Sequence, residues 1–370
     1  MRIVLCVHHR LDANTGAPGV TLDLGAQYRA LGHDVSFVSV DDLPARLPDV
    51  AAELVFPEAA AWLLSRRARD ADIVDATTGD AWLWARLPRR DRSPRLITRS
   101  HGLEHVFWDS AVADARAHGE PLARRTRLYH GGWRLREVAA SLRASDRCVF
   151  LNQADLDYAV EHLGVHRSRA TVILNGIPEQ FEGLPLREPQ GALRVAMIGT
   201  WAPRKGVRYA ARALSGSLAR HPELRCILLG TRVRADDVLA GFDEAVRERV
   251  EVVESYRREE LPRLLSGAQV LLSASLAEGF SVALPEGMAA GLVPVATSLP
   301  GAREIVRDGE NGLLVPPADA SALEEALDRV IGDPALLARL RARAHADVQE
   351  LTWRRIAEQN LRLYEELLGR

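Results

Sequence analysis

The stretch Val195-Ala196-Met197-Ile198-Gly199-Thr200-Trp201-Ala202-Pro203-Arg204-Lys205-Gly206-Val207 reads as an apolar strand, a glycine-bounded turn and the first residue of a helix running to Leu218. Repeated, such a unit gives a parallel sheet covered by helices on both faces. Downstream, short apolar runs recur at Cys226 to Leu229, Val250 to Val253, Val270 to Leu272, Val293 to Ala296 and Leu313 to Val315, and an amphipathic helix from Trp353 to Leu368 ends the series. Upstream lies a second series: Ile3 to Val7, Val35 to Val40, Ile73 to Ala76, Leu96 to Arg99, Cys148 to Leu151 and Val172 to Leu174, with helices such as Val20 to Leu31 and Asp155 to Leu163 between. Residues 182–192 hold two prolines and two glycines with no periodic apolar face and read as a linker. The expected division is residues 1–185, residues 186–352, and a helix at 353–370 that packs back toward the first domain. Two doubly wound domains imply a cleft at the carboxyl ends of their strands, where such sheets take ligands.

The chain has 370 residues, more than one core usually supports. Its 48 Lys+Arg against 50 Asp+Glu give a formal charge of -2, which excludes a general nucleic-acid binder. With 47% hydrophobic and 26% charged residues it is a globular composition. No apolar run approaches the ~18 residues of a membrane span, and the N-terminal run turns polar at His8, too soon for a signal peptide. Cys6, Cys148 and Cys226 stand far apart in apolar runs and read as reduced core residues of a cytoplasmic protein. Only one of the 48 cations is a lysine, Lys205. Arginine serves most exposed cationic positions, so a lysine surviving such a bias is either a functional choice or chance.

Arg204 and Lys205 precede a helix start, where cations oppose the helix dipole. A bound anion reverses that penalty; otherwise the pair is a solvated turn. After the strand at 270–272 comes Ala277-Glu278-Gly279-Phe280-Ser281-Val282-Ala283-Leu284-Pro285-Glu286-Gly287-Met288-Ala289-Ala290-Gly291. Pro285 suits a first helical turn, which puts Glu286 near the positive helix end, and Glu278 sits in the preceding loop. Two carboxylates on one strand-to-helix connection suit several hydroxyls, as on a sugar or a ribose.

This string resembles the family 4 glycosyltransferases of the GT-B fold, whose signature is two glutamates separated by seven residues, as Glu278 and Glu286 are. Gly199 to Gly206 is similar to the family's phosphate-binding turn. Pro300 to Val306 and Asp308 to Val315 are similar to the stretch after the glutamates, and Asn175-Gly176-Ile177-Pro178 to the turn closing the first domain. The match is strong in the C-terminal half and only in outline in the N-terminal half. Ser281 departs from the family's usual glycine and Gly287 from its usual alanine.

The resemblance implies two Rossmann-like domains and a retaining transfer of sugar from a nucleoside diphosphate donor, a UDP-sugar such as UDP-N-acetylglucosamine or UDP-glucose before GDP-mannose, to a hydroxyl acceptor. The acceptor is a saccharide, a lipid-linked molecule or a small molecule. No metal or cofactor is implied; a phosphate oxygen takes the acceptor's proton as the attack occurs on the face the diphosphate leaves. By the same resemblance, Arg204 and Lys205 hold the diphosphate, Glu278 the sugar hydroxyls and Glu286 the ribose. Gly199, Gly279 and the backbone N–H groups from Phe280 through Ser281 and Val282 to Leu284 approach phosphate and sugar. Gly16 and Gly19, in a loop before the helix at Val20, approach the diphosphate from the first domain, and His101 lies near the sugar.

Other readings remain. His101-Gly102-Leu103-Glu104-His105 fits the H-x-x-E-H pattern of zinc hydrolases, which requires both histidines on one helix face. His8 and His9 add little, because neighbours on a strand point to opposite faces. A sugar-nucleotide-binding protein without catalysis is the third alternative. Residues 116–147 hold eight arginines against Glu120, Glu137 and Asp146. That segment is either a peripheral surface for anionic lipid at the inner face of a membrane, or for a phosphorylated acceptor, or a solvated helical face.

Overall fold

The computed structural model describes residues 1–369 apart from 45–46, 89–93 and 188–190, and nothing is described of the side chains of residues 49 and 50. Part of the expected linker at 182–192 therefore lies outside the described residues. The chain divides into two units, Met1–Gly176 together with the segment from Trp353 onward, and Ile177–Thr352.

Unit 1 carries strands β1 (Arg2–Val7), β2 (Asp34–Ser39), β3 (Ile73–Thr77), β4 (Arg95–Arg99), β5 (Arg147–Phe150) and β6 (Ala170–Val172). Its helices are α1 (Gly16–Ala30), α2 (Asp49–Arg67), α3 (Glu104–Ala117), α4 (Arg124–Leu128), α5 (Arg134–Ala144) and α6 (Gln153–His162). The strands pair in parallel in the order β2-β1-β3-β4-β5-β6, with Ile3 beside both Val35 and Ile73. Each parallel pair needs a crossover, and helices on both faces bury the strands, which is why β1 and β3 read as unbroken apolar runs. The order reverses direction between β1 and β3, so the loops that follow these two strands diverge and leave a crevice at their carboxyl ends.

Unit 2 carries β7 (Arg194–Ile198), β8 (Arg225–Leu229), β9 (Val250–Val253), β10 (Val270–Ser273), β11 (Val293–Thr297) and β12 (Leu313–Val315). Its helices are α7 (Val207–Arg220), α8 (Ala235–Leu239), α9 (Leu261–Leu265), α10 (Ala283–Ala289), α11 (Pro300–Arg303), α12 (Ala320–Gly332) and α13 (Pro334–Val348). The order is β9-β8-β7-β10-β11-β12, all parallel, and it reverses between β7 and β10. One core joins Val195, Met197 and Leu272 to Leu214, Leu218, Leu323 and Leu327 of the covering helices. Each of the twelve strands anticipated from sequence has a counterpart.

The last helix, α14 (Trp353–Leu368), belongs to unit 1. Tyr364 is buried and its hydroxyl meets that of Tyr28 on α1 at 3.0 Å and donates to Asp75 on β3. Arg99 on β4 donates to Asp75 at 2.7 Å and to Asn360 on α14 at 2.6 Å. The unit boundary falls at Gly176, ahead of the 185 expected from composition. Here the outgoing and returning chain run side by side: Ile177 N–H donates to the Leu351 carbonyl at 2.6 Å. A Cβ on Gly176 would lie 2.6 Å from the Trp353 nitrogen, so only glycine allows this close passage.

Candidate active site

The reversal between β7 and β10 places two loops side by side, 199–206 after β7 and 274–282 after β10. The first is stitched down by backbone bonds: Gly199 N–H to the Leu229 carbonyl, Trp201 N–H to Thr231, and Leu276 N–H to the Arg204 carbonyl. Pro203–Lys205 forms a single helical turn that ends at Gly206, whose φ is 66°. A Cβ there would lie 1.8 Å from the Ala274 carbonyl oxygen. Glycine is thus required both by the left-handed backbone and by the contact between loops.

This contact carries the charges together. Lys205 Nζ pairs with Glu278 Oε1. Arg204 lies 3.6 Å from the same oxygen and donates to the Ala277 carbonyl at 3.1 Å. Ser275 donates to Glu278 at 3.1 Å. The Glu278 side chain is only 7% exposed and that of Lys205 17%, whereas Arg204 is half exposed. Burial pushes the Glu278 carboxyl up, but Lys205, Arg204 and a hydrogen bond from Ser281 outweigh it and hold the group below its ordinary range. Among the described residues, Glu278 Oε2 is buried without a hydrogen-bond partner. The arrangement can release a lysine ammonium to an entering anion while the carboxylate turns to hydroxyl donors.

Gly279 lies against α11: a Cβ on Gly301 would sit 2.2 Å from the Gly279 carbonyl oxygen. Phe280, Ser281, Leu284 and Glu286 are buried, Glu286 at 8% exposure, and the Leu284 N–H already donates to the Ser281 carbonyl. Glu286 lies in the first turns of α10, within electrostatic reach of Tyr256, whose hydroxyl burial and that carboxylate keep neutral. The two departures from the family pattern gain local reasons. Ser281 helps hold the Glu278 carboxyl below its ordinary range. A Cβ on Gly287 would lie 2.6 Å from Leu271 Cδ2, so glycine lets α10 seat against β10.

In unit 1 the expectation for the glycines is corrected. Gly16 and Gly19 are not in a loop ahead of a helix at Val20; α1 starts at Gly16, and Gly19 N–H already donates to the Thr15 carbonyl. Pro18 fits there because first-turn N–H groups have no intrahelical partner. Among the described residues no atom lies within 4 Å of where a Cβ on Gly16 would be, so local packing there does not demand glycine. A cavity of about 320 Å³ opens beside it, lined among others by His9, Arg10, Asp12, Thr15 and Glu53.

His101 follows β4, and its Nε2 is buried without a hydrogen-bond partner among the described residues. Burial first, then Arg99, lowers its pKa to about 3, so the ring is neutral. His105 is on α3 while His101 precedes that helix, and Glu104 Oε1 accepts from Thr78 at 2.8 Å. Among the described residues no three His, Cys, Asp or Glu side chains gather to hold a metal, so the zinc-hydrolase set is not assembled.

The reading of His8 and His9 as pointing apart is also corrected. Both lie past the end of β1, in a bend, and their rings stand 4.2 Å apart. His8 Nδ1 is 2.8 Å from Asp80 Oδ1. Asp80 is fully buried beside Arg134 at 3.5 Å, and Arg134 also reaches Glu104 and Glu137 at 3.4 Å. The segment 116–147 is accordingly not one solvated face: Arg134 and Glu137 are buried, while Leu128 and Trp133 are 67% and 49% exposed. Sequence reasoning missed the His8–Asp80–Arg134 set because its members come from the bend after β1, the turn after β3 and the start of α5. The polar run Thr77-Thr78-Gly79-Asp80 after an apolar strand was the available signal.

Two family models match the chain: "Glycosyltransferase Family 4" over residues 15–181 and "Glycosyl transferases group 1" over 192–333. The GDP-mannose:cellobiosyl-diphosphopolyprenol alpha-mannosyltransferase of Komagataeibacter xylinus is 26% identical, covering 81% of this chain and 80% of the relative. Three other curated relatives are matched over only 24%, 60% and 55% of their own length. Among solved structures, a sucrose-phosphate synthase from Thermosynechococcus elongatus superimposes with a TM-score of 0.79 at 20% identity, covering all of both chains. HepE from Anabaena, solved in complex with UDP-glucose, gives 0.69 at 17% identity over 98% of this chain and 99% of that one.

Proposed function

Because this chain belongs to the family 4 glycosyltransferases and has the GT-B fold, we propose that it transfers a sugar, with retention and without a metal, from a nucleoside diphosphate sugar to a hydroxyl acceptor. The observation that carries this reading is the Arg204–Lys205–Glu278 cluster at the strand-order reversal of unit 2. The diphosphate draws Lys205 away from Glu278, and half-exposed Arg204 closes on the same anion. Both cations stabilise the charge that develops on the leaving diphosphate, a contribution of about 3 kcal/mol per lost contact. Glu278, freed of its partner, accepts from sugar hydroxyls, and Glu286 from the ribose.

Two donors follow from different observations. The UDP preference drawn from sequence is matched by a fold relative solved with UDP-glucose, while the sequence relative from Komagataeibacter is named for GDP-mannose. The same name points to a lipid-linked acceptor, as do exposed Leu128 and Trp133 within the arginine-rich segment 116–147, which suit an anionic lipid surface at the inner face of a membrane. Among the described residues no helix is long and apolar enough to cross a membrane.

A thermal-shift panel of UDP- and GDP-sugars tests the reading. The cognate donor at a hundred times its dissociation constant adds about 2.7 kcal/mol of stability, and a Glu278→Gln variant loses that response. If no nucleotide sugar shifts the transition, the reading fails.

A further inference from the structure

We propose that His8, oriented by Asp80, accepts a hydrogen bond in unit 1 from a hydroxyl of the acceptor next to the attacking one. The proposal rests on the glycosyltransferase reading and adds a residue outside every motif that led to it.

His8 stands at the carboxyl end of β1, where the strand order of unit 1 reverses between β1 and β3. Asp80, in the turn after β3, faces it with both oxygens, at 2.8 and 3.0 Å from Nδ1. The Asp80 side chain is 0% exposed. It is held from two further sides, by the Thr77 hydroxyl and by Arg134 at 3.5 Å. Burial raises its pKa, but His8, Arg134 and Thr77 outweigh that and keep it ionised.

An ionised carboxylate only accepts hydrogen bonds, so Nδ1 of His8 carries the hydrogen. A neutral imidazole that donates from Nδ1 keeps its lone pair on Nε2. The His8 side chain is 22% exposed, so the ring bridges a buried carboxylate and the surface of the crevice. That is the arrangement of a base oriented by a third group.

Arg134 reaches this site only because residue 79 is glycine. Its φ is 84°, and a Cβ there would lie 2.5 Å from Arg134 Nη1. Nearby, within electrostatic reach of His8, His101 Nε2 and Glu104 Oε2 are buried without hydrogen-bond partners among the described residues. Unpartnered buried polar atoms beside an oriented imidazole call for a ligand rich in hydroxyls, each able to donate and accept. The bond to His8 holds the acceptor by a hydroxyl next to the attacking one, whose own proton still passes to the leaving diphosphate. It introduces no bond-making step beyond the transfer described above.

Two measurements test this. Histidine ¹⁵N NMR of the whole protein reads the tautomer without any substrate: His8 is expected with hydrogen on Nδ1, and on Nε2 in Asp80→Asn, whose amide can donate to Nδ1. Hydrogen on Nε2 in the wild type overturns the proposal. In kinetics, His8→Ala is expected to lower kcat/KM for the acceptor roughly a hundredfold, with His8→Gln, which keeps an acceptor oxygen, recovering part of it. The donor-induced thermal shift of unit 2 is unchanged in both variants. Acceptor kcat/KM within about threefold of wild type in His8→Ala overturns the proposal, and so does an equal loss of donor response, which marks a structural role. If the wild type shows no donor response, the transferase reading fails on its own, and the NMR result still decides the orientation of His8.

Discussion

The ammonium at position 205 has two claimants, Glu278 in the free protein and a diphosphate in the complex. This makes simple truncation a mixed experiment. Lys205→Ala leaves the Glu278 carboxylate buried beside only half-exposed Arg204, so we expect unit 2 to lose about 3–5 kcal/mol in denaturant unfolding as well as donor binding. Lys205→Met combined with Glu278→Gln removes both charges, restores most of that stability and stays inactive, which separates folding from function. Lys205→Arg keeps the charge and the fold. Its wider planar head cannot replace a compact ammonium whose stem lies across Gly199, where a Cβ would come within 3.3 Å of Lys205 Cε, and turnover is expected to fall about tenfold. The lone lysine and the two glutamates were legible in sequence, because each sits in a short string with a mechanism. Their ion pair was not, since 73 residues separate its members.

At the scale of elements, strand positions were read with little error because a buried parallel strand is an apolar run of fixed length. Helix starts were less legible: α1 begins at Gly16 because glycine and proline, read as loop signals, are tolerated in a first turn. Position 287 shows a similar conflict. Alanine favours a helix by about 1 kcal/mol over glycine, but in α10 its methyl would press on Leu271, so Gly287→Ala is expected to destabilise unit 2 by about 1 kcal/mol net in urea unfolding. Helix α5 carries the clearest pH signature. Burial raises the Glu137 pKa to about 7 against the partial opposition of Arg134. The folded state therefore holds a proton that the unfolded chain releases near its ordinary value of 4.5. Stability from this group is complete below that value and is lost as pH rises toward 7. Melting temperatures of wild type and Glu137→Gln measured from pH 4.5 to 8 should differ in slope across that window, with the variant flatter.

For the whole molecule, the division into two sheets followed from the repeated pattern, whereas the membership of the last helix depends on side chains that no local pattern pairs. Asn360 and Tyr364 complete a buried group made of Asp75, Arg99 and Tyr28. Tyr364→Phe removes one hydroxyl from a charged partner and should lower the stability of unit 1 by about 1.5–3 kcal/mol, leaving unit 2 unchanged. Two resolved transitions in calorimetry, of which only one moves, would establish it.

That last helix also sets a timetable for synthesis. Residues 1–176 leave the ribosome first, yet Asp75 and Arg99 wait for partners encoded beyond residue 353. At about 5–20 residues per second, the intervening unit takes roughly 10–35 s to translate. During that interval the second unit can finish folding while the first holds an unfinished polar core. The order of maturation is thus the reverse of the order of translation, and a nascent chain stalled before its final helix presents chaperones with its amino-terminal half.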